Sequence, residues 1–163
     1  MKVFLIMLMM TALLCGCGAK ETGETIGEDA YVESVMAEPQ EVFVELPGEA
    51  AVPTMENGSS RYYICEGYEI TLDTVPSGDV KTAIETLSGY DPKDLTVMET
   101  EKDGVKRYDF VWASQGETGE RLGRASILDD GNYLYTLSVL RDADTTEDSQ
   151  IVWRSVFESF SLV

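Results

Sequence analysis

Residues 121–140, RLGRASILDDGNYLYTLSVL, contain two apolar-rich runs that flank a short polar turn. The runs cover residues 121–128 and 133–140, and they are rich in the aliphatic, aromatic and β-branched side chains that strands favour. Between them, Asp130, Gly131 and Asn132 form Asp-Gly and Gly-Asn steps, which supply the positive φ angles of tight hairpin turns. The stretch therefore predicts an antiparallel hairpin.

Further strands are expected before this hairpin. Two more tight-turn signals, Glu66-Gly67 and Lys102-Asp103-Gly104, each separate a pair of apolar-rich runs. In the run after Glu66-Gly67, Ile70 and Leu72 alternate with polar residues, as on a half-buried strand. The candidate strands are residues 42–44, 62–65, 68–72, 95–101 and 105–113. Together with the hairpin at 121–140, the last two predict an antiparallel meander of four strands.

Two helices are expected. Within residues 79–88, apolar side chains recur at helical spacing, with Ser77 or Asp79 as a candidate cap and Gly89 as a stop. Residues 146–159 form the second candidate, which begins with acidic residues and carries Trp153, Val156 and Phe157 on one face. The sequence therefore predicts an α+β fold, with an antiparallel meander on which an early helix and a C-terminal helix pack.

The C-terminal phrase Phe157-Glu158-Ser159-Phe160, with Trp153 four residues ahead of Phe157, resembles the ending of small uncharacterised lipoproteins of Gram-positive bacteria. The turn at residues 128–133 is similar to one in the same proteins. The order of elements also resembles the Mog1/PsbP-like fold. For residues 42–163, the resemblance implies an α+β sandwich in one domain, and it carries no catalytic motif.

The N-terminus has the pattern of an export signal. Lys2 precedes twelve uninterrupted apolar or small residues at positions 3–14. As a helix this run covers roughly 18 Å, which is too short for the ~30 Å hydrocarbon core of a bilayer. A basic residue followed by a short apolar run is typical of a secretory signal peptide.

The residues that follow, Leu14, Cys15, Gly16 and Cys17, resemble a bacterial lipobox, with Cys15 as a mild departure. The resemblance implies cleavage after Gly16 and a diacylglyceryl group on Cys17, which would anchor the protein on the extracytoplasmic face of the cell membrane. The alternative is an ordinary secretory signal that carries two cysteines. The predicted organisation is a signal peptide at 1–16, a lipidated and acidic tether at 17–41, and one globular domain at 42–163.

Composition excludes several functions. The chain has 12 Lys and Arg against 30 Asp and Glu, a net charge of −18, so we expect no nucleic-acid partner. It has no histidine, which excludes Ser-His-Asp and Cys-His nucleophilic sites and His-ligated metals. No Gly-rich phosphate loop is present. Cys65 lies in an apolar-aromatic run and is expected to be a buried strand residue. We expect no cofactor and no metal.

Two groups of carboxylates are candidate functional sites, one for calcium binding and one for catalysis. The acidic residues of segment 142–148 could bind calcium, but against an EF-hand loop Glu147 replaces the required glycine and Trp153 replaces the final glutamate. Helix capping and a solvated loop are the alternative explanation. Glu117 and Glu120 with Asp129 could serve as the paired acids of a glycosidase.

Aromatic side chains supply the candidate ligand-facing residues. Tyr108, Phe110 and Trp112 share one face of their strand, and Tyr133 and Tyr135 share one face of theirs. At least one of these faces must be core, and the other could present a groove for a peptide, glycan or lipid. The sequence thus predicts a non-catalytic binding or accessory module of the cell envelope, with an unknown protein, glycan or peptide ligand. The alternatives are a small carboxylate-based hydrolase and a self-associating structural envelope protein.

Overall fold

Long antiparallel strands dominate the computed structural model, which describes residues 37–116, 119–143 and 147–163, with backbone alone for 147–152. Each strand is followed by its residues: β1 Val42–Phe43, β2 Met55–Asn57, β3 Ser60–Cys65, β4 Tyr68–Pro76, β5 Met98–Lys102, β6 Val105–Gln115, β7 Glu120–Asp129, β8 Tyr133–Asp142 and β9 Ser161–Leu162. The helices are α1 Val80–Ser88 and α2 Glu147–Ser159. All five predicted strand runs and both helices within the described residues are present, with β4 and β6 longer than predicted.

Seven of the strands form one sheet in the order β2-β3-β4-β8-β7-β6-β5. The hairpin of residues 121–140 is confirmed as β7 and β8, which lie at the centre of this sheet. β8 returns to pair along the whole of β4, with Ile70 opposite Val139. The meander therefore does not stand apart from the first hairpin, because β8 joins the two into one continuous sheet. β1 and β9 pair separately as a small two-stranded sheet.

The centre of the sheet is buried on both faces. Four consecutive residues of β7, from Ala125 to Leu128, are buried, as are four of β8, from Leu134 to Leu137. Because side chains alternate between faces along a strand, such runs require cover on both sides. The two helices supply it, one on each face.

α1 covers one face, called here the α1 face. Asp79 caps its start by accepting a hydrogen bond from the Lys81 N–H at 3.0 Å. Gly89 ends it at φ 77°, a left-handed conformation that favours glycine. Ile84 packs with a buried cluster from the central strands: Tyr108, Phe110, Trp112, Ala125, Ile127 and Leu134.

α2 covers the opposite face, called here the α2 face. Its side chains Trp153, Val156 and Phe157 are buried, as is Phe160 just after it. They pack against Ile70, Leu72, Leu128, Tyr135, Leu137 and Val139. The aromatic stripe that predicted a packed C-terminal helix is therefore core.

The predicted α+β class is wrong, because the described chain is mostly β. The helices were located correctly, but α1 has nine residues and α2 thirteen, whereas β4, β6, β7 and β8 have nine to eleven each. The helices also lie on opposite faces of the sheet instead of forming one helical layer. The protein is a seven-stranded antiparallel sheet with one short helix on each face.

Gln40 contacts the sheet. Its N–H donates to the Tyr135 hydroxyl at 2.8 Å, and its side-chain amide donates to Asp130 at 2.9 Å. Both partners belong to the β7–β8 corner. All the side chains of the two buried clusters lie between residues 42 and 162. Within the described chain, no helix is long and apolar enough to cross a membrane.

Candidate functional site

The predicted lipobox, from Leu14 to Cys17, lies outside the described residues, and so does Glu117. The calcium candidate at 142–148 lies mostly outside them as well. Among the described residues, no group of three or more acidic or cysteine side chains converges as metal ligands would. Cys65 lies in β3, half-buried against the core of the α2 face, with its thiol 3.8 Å from the Glu49 carbonyl oxygen.

The predicted aromatic residues lie on opposite faces and are mostly in the core. Tyr108, Phe110 and Trp112 are buried beneath α1. Tyr135 is fully buried on the α2 face, and Tyr133 is half-buried beside it, with ring centroids 6.2 Å apart. These residues were expected to line an open face of the sheet. No such face exists at their positions, because a helix covers each side of the sheet. Of the five, Trp112 lines cavities as well as core.

One of these cavities, of about 680 Å³, is on the α1 face, between α1 and strands β4 and β8. Hydroxyl groups of Thr71, Thr136 and Ser138 line its floor. Trp112 and Leu87 contribute to its walls. Its described lining contains no Lys or Arg side chain, so its chemistry is neutral to acidic.

The cavity on the α2 face is different, because three arginines line it. We call it the arginine cavity: Arg124 of β7, Arg141 of β8 and Arg154 of α2, with Trp153 and Phe157 beside them, enclosing about 660 Å³. A volume of this size is typical of sites for small molecules. The chain has six arginines in all, so half of them meet at one place in a protein with 30 acidic residues.

Strand register explains how two of the arginines come together. Arg124 is directly opposite Val139 in the β7–β8 pair, and Arg141 is two residues further along β8. The two arginines are therefore diagonal neighbours on one face, at a Cα separation of about 7–8 Å. Like charges on adjacent strands are destabilising. Their juxtaposition works against stability, as functional groups often do.

Arg124 is held in a defined position. Its guanidinium carbon lies 4.1 Å from the centre of the Phe157 ring, a cation–π contact that fixes the plane of the group. Burial is the main cause that lowers the pKa of Arg124. Asp109 opposes that shift, and the charges of Arg107 and Arg154 add to it. An arginine stays protonated at neutral pH even so.

Arg141 has a buried donor without an acceptor. Its Nη1 is inaccessible to solvent, and no hydrogen-bond acceptor among the described residues reaches it. Burial also lowers the pKa of this arginine. Tyr68 lies opposite Arg141 on β4, and its ring packs edge-on against Trp153 at 4.9 Å. Apolar and aromatic groups thus surround the Arg141 cation, which keeps one N–H donor without an acceptor.

Arg121, on the α1 face, differs from Arg141 because acidic side chains lie close to its guanidinium. Its Nε also lacks a hydrogen bond, but that atom lies 3.5 Å from an Asp142 oxygen. Its terminal nitrogens donate to Glu69 at 2.9 Å and to the Leu140 carbonyl at 3.1 Å. Within the described chain, ion pairs are recorded for Arg121 and Arg107, and none for the three arginines of the cavity.

The arginine cavity was not predicted from the sequence. Its signal was the pattern of β7, where Leu122, Arg124, Ser126 and Leu128 occupy one face while the alternate residues are small or apolar. Apolar residues on both faces indicate a central strand, and a charged residue there requires an explanation. No protein-family model matches the chain, and a search of curated proteins finds no match either.

Proposed function

We propose that this chain is a lipid-anchored protein of the bacterial cell surface whose non-catalytic body binds small anionic molecules in the arginine cavity. The observation that supports binding is the convergence of Arg124, Arg141 and Arg154 on one cavity, with no ion pair recorded for any of them in the described chain. A carboxylate or phosphate group is the acceptor that a guanidinium fits best, because two parallel N–H groups meet two oxygens.

The energetics support a ligand role for these arginines. A buried donor without a partner costs about 1–3 kcal/mol, and two neighbouring guanidiniums add repulsion. An anion bound in the cavity would relieve the repulsion between the guanidiniums. It would also be bound where water is partly excluded, so its hydrogen bonds would be stronger than at an open surface.

Calorimetric titration with acetate and with inorganic phosphate tests the binding proposal. We expect the wild type to bind, and Arg141→Gln to weaken binding about ten-fold or more, the size of one charge-assisted hydrogen bond. Arg61→Gln is the matched control, because it removes the same charge on the same face, outside the cavity. Equal weakening by both variants, or no binding by the wild type, would overturn the proposal.

The anchor part of the proposal is supported by the sequence of residues 2–17. Mass spectrometry of the mature protein should find an N-terminal Cys17 that carries a diacylglyceryl group. Cys17→Ser should release the protein from the membrane fraction, whereas Cys15→Ser, two residues away, should not. An unmodified N-terminus would contradict lipidation and would leave the binding proposal standing.

Neither alternative function gains a specific observation. Of the acids considered for a hydrolase, Glu120 and Asp129 are the first and last residues of β7. Nine residue steps of extended strand separate their Cα atoms by about 30 Å, so this pair cannot act across one bond. Self-association would appear as a concentration-dependent mass in light scattering.

A further inference from the structure

The arginine cavity has an apolar side. It is formed by Val111, Ala113 and Leu122, which all lie on the α2 face of the sheet. Val111 pairs with Arg124 across the strands, and Leu122 pairs with Arg141. Val111 is 60% exposed although it lies in the middle of the eleven-residue strand β6. An exposed β-branched apolar residue beside a charged cavity points to a ligand that has an apolar part as well as a charge.

The apolar surface continues to the edge of the sheet. Met98 of β5 is opposite Asp109, so Val111 is its diagonal neighbour on the same face, within reach of a long side chain. Met98 is 59% exposed. We call Met98, Val111 and Ala113 the apolar shelf. It begins at the arginines and runs outward across β6 to β5, beyond the cover of α2.

We infer that the ligand of the arginine cavity is a single-chain anionic amphiphile, with a carboxylate or phosphate head bound by Arg124 and Arg141 and an aliphatic body along the apolar shelf. This inference rests on the proposed function. An inorganic anion would use the arginines alone and leave the shelf in water. An aliphatic body would cover it and gain the hydrophobic free energy of burial.

The geometry favours one molecule over a membrane surface. The guanidiniums line a concavity between a sheet and a helix, which a flat bilayer cannot enter. The net charge of −18 also repels an anionic bilayer, since binding to such a surface relies on an exposed basic cluster. A single soluble amphiphile can enter the concavity, and its one charge is repelled far less than a charged bilayer is.

A chain-length series tests the inference. The protein is the chain from Gly18 to Val163, which keeps the tether and the whole described body and needs no detergent. It is titrated with acetate, butanoate, hexanoate and octanoate, each below the concentration at which it forms micelles. We expect the dissociation constant to fall by up to about four-fold per added methylene until the shelf is covered.

Variants identify where the body of the ligand lies. The double variant Met98→Gln with Val111→Thr should weaken octanoate binding more than acetate binding and so flatten the chain-length dependence, because it keeps side-chain size and removes apolar surface. Ile64→Thr is the matched control, since Ile64 is also an exposed strand residue, on the other face of the sheet. Arg141→Gln should weaken every member of the series by the same factor.

Each contrary outcome is distinct. Acetate and phosphate binding without chain-length dependence would overturn the amphiphile and leave the proposed function intact. Octanol binding as tightly as octanoate would show an apolar patch without a role for the arginines, which overturns the inference. Binding to phosphatidylcholine–phosphatidylglycerol vesicles at lower concentration than to octanoate would overturn the single-molecule site. If no anion of any length binds, both proposals fall.

Discussion

Arg107 and Arg141 lie on the same face of the same sheet, beside the same helix, in opposite surroundings. Arg107 donates to Asp109 at 2.8 Å, to the Phe160 carbonyl at 3.0 Å and to the Phe157 carbonyl at 2.7 Å. It also donates to Ser126, whose hydroxyl donates in turn to Asp109. Arg141 has a buried nitrogen that no described acceptor reaches.

The difference separates a structural arginine from one that is available to a ligand. Arg107 satisfies the carbonyl groups at the C-terminal end of α2, where a cation is favoured. It therefore fixes the helix on the sheet. Arg141, near the other end of the described part of α2, fixes nothing that the structure shows. Substitutions at the two sites should therefore have opposite effects on stability.

Replacing Arg107 should have the largest effect. Arg107→Met would leave Asp109 charged and only 16% exposed, without its partner, and would free the carbonyl groups of Phe157 in α2 and of Phe160 just after it. Breaking a buried pair in this way costs about 3–5 kcal/mol. Urea unfolding followed by circular dichroism measures the loss, with Arg61→Met as the control for removal of one arginine. A loss below about 1 kcal/mol would contradict the structural role of Arg107.

A second substitution tests whether the two faces of the sheet act separately. Gly123 lies beneath Trp112 on the α1 face, and a Cβ atom there would lie 2.0 Å from the Trp112 ring. Gly123→Ala must therefore displace the tryptophan, at a cost of about 1–3 kcal/mol, and change its fluorescence. Because Gly123 and Trp112 also line the arginine cavity, acetate binding should weaken as well.

Gly48→Ala is the control for this experiment, because nothing lies within 4 Å of a Cβ atom at Gly48 and no change in stability is expected. If Gly123→Ala lowered stability and left anion binding unchanged, the coupling of the two faces through Trp112 would be wrong. The measurement is again urea unfolding, combined with titration of the folded variant.

A smaller, pH-dependent effect is expected at Asp130, whose carboxylate is fully paired like Arg107. Burial acts against its charge, but hydrogen bonds from the Tyr133 and Asn132 N–H groups, Gln40 and Tyr135 outweigh it and lower its pKa. A lowered pKa in the folded state means that the stabilisation is present above the unfolded pKa of about 3.9 and is lost as the pH falls through the folded value.

Wild type and Asp130→Asn should therefore differ in unfolding free energy at pH 7, and the gap should close below about pH 4. The effect is modest because a neutral oxygen can still accept some of these bonds. Asp94→Asn, at an exposed residue, controls for the loss of one negative charge. A gap that stayed constant down to pH 2.5 would show that the charge of Asp130 contributes nothing.

Local elements could be predicted from the sequence because their signals are local. α1 follows from an apolar stripe, the Asp79 cap and Gly89, and the β7–β8 hairpin follows from its Asp-Gly-Asn turn. The fold class could not be predicted, because it depends on the pairing of β4 with β8 across more than sixty residues. Alternation in each strand shows which residues share a face, and not which strand lies beside it.

The candidate site was harder to predict than the fold for the same reason. Arg124 and Arg141 lie seventeen residues apart in sequence and meet only through the register of β7 and β8. The aromatic residues, by contrast, were predicted to face a ligand because they share strand faces. Trp112 and Tyr135 are core because α1 and α2 cover opposite faces, which no single strand reveals.

Arg141→Met should have the smallest effect and the opposite sign to Arg107→Met. It removes a buried cation that lacks an acceptor and repels Arg124, and it keeps an unbranched apolar chain beside Tyr68 and Leu122. Replacing a poorly compensated buried charge in this way is neutral or stabilising, here by up to about 1 kcal/mol. Urea unfolding at low ionic strength without added anion measures the gain, with Arg61→Met as control.

Saturating octanoate should reverse the order, because a ligand that binds only the folded wild type stabilises it by mass action. A loss of stability as large as that of Arg107→Met would show instead that Arg141 has a structural partner, and the contrast between the two arginines would disappear.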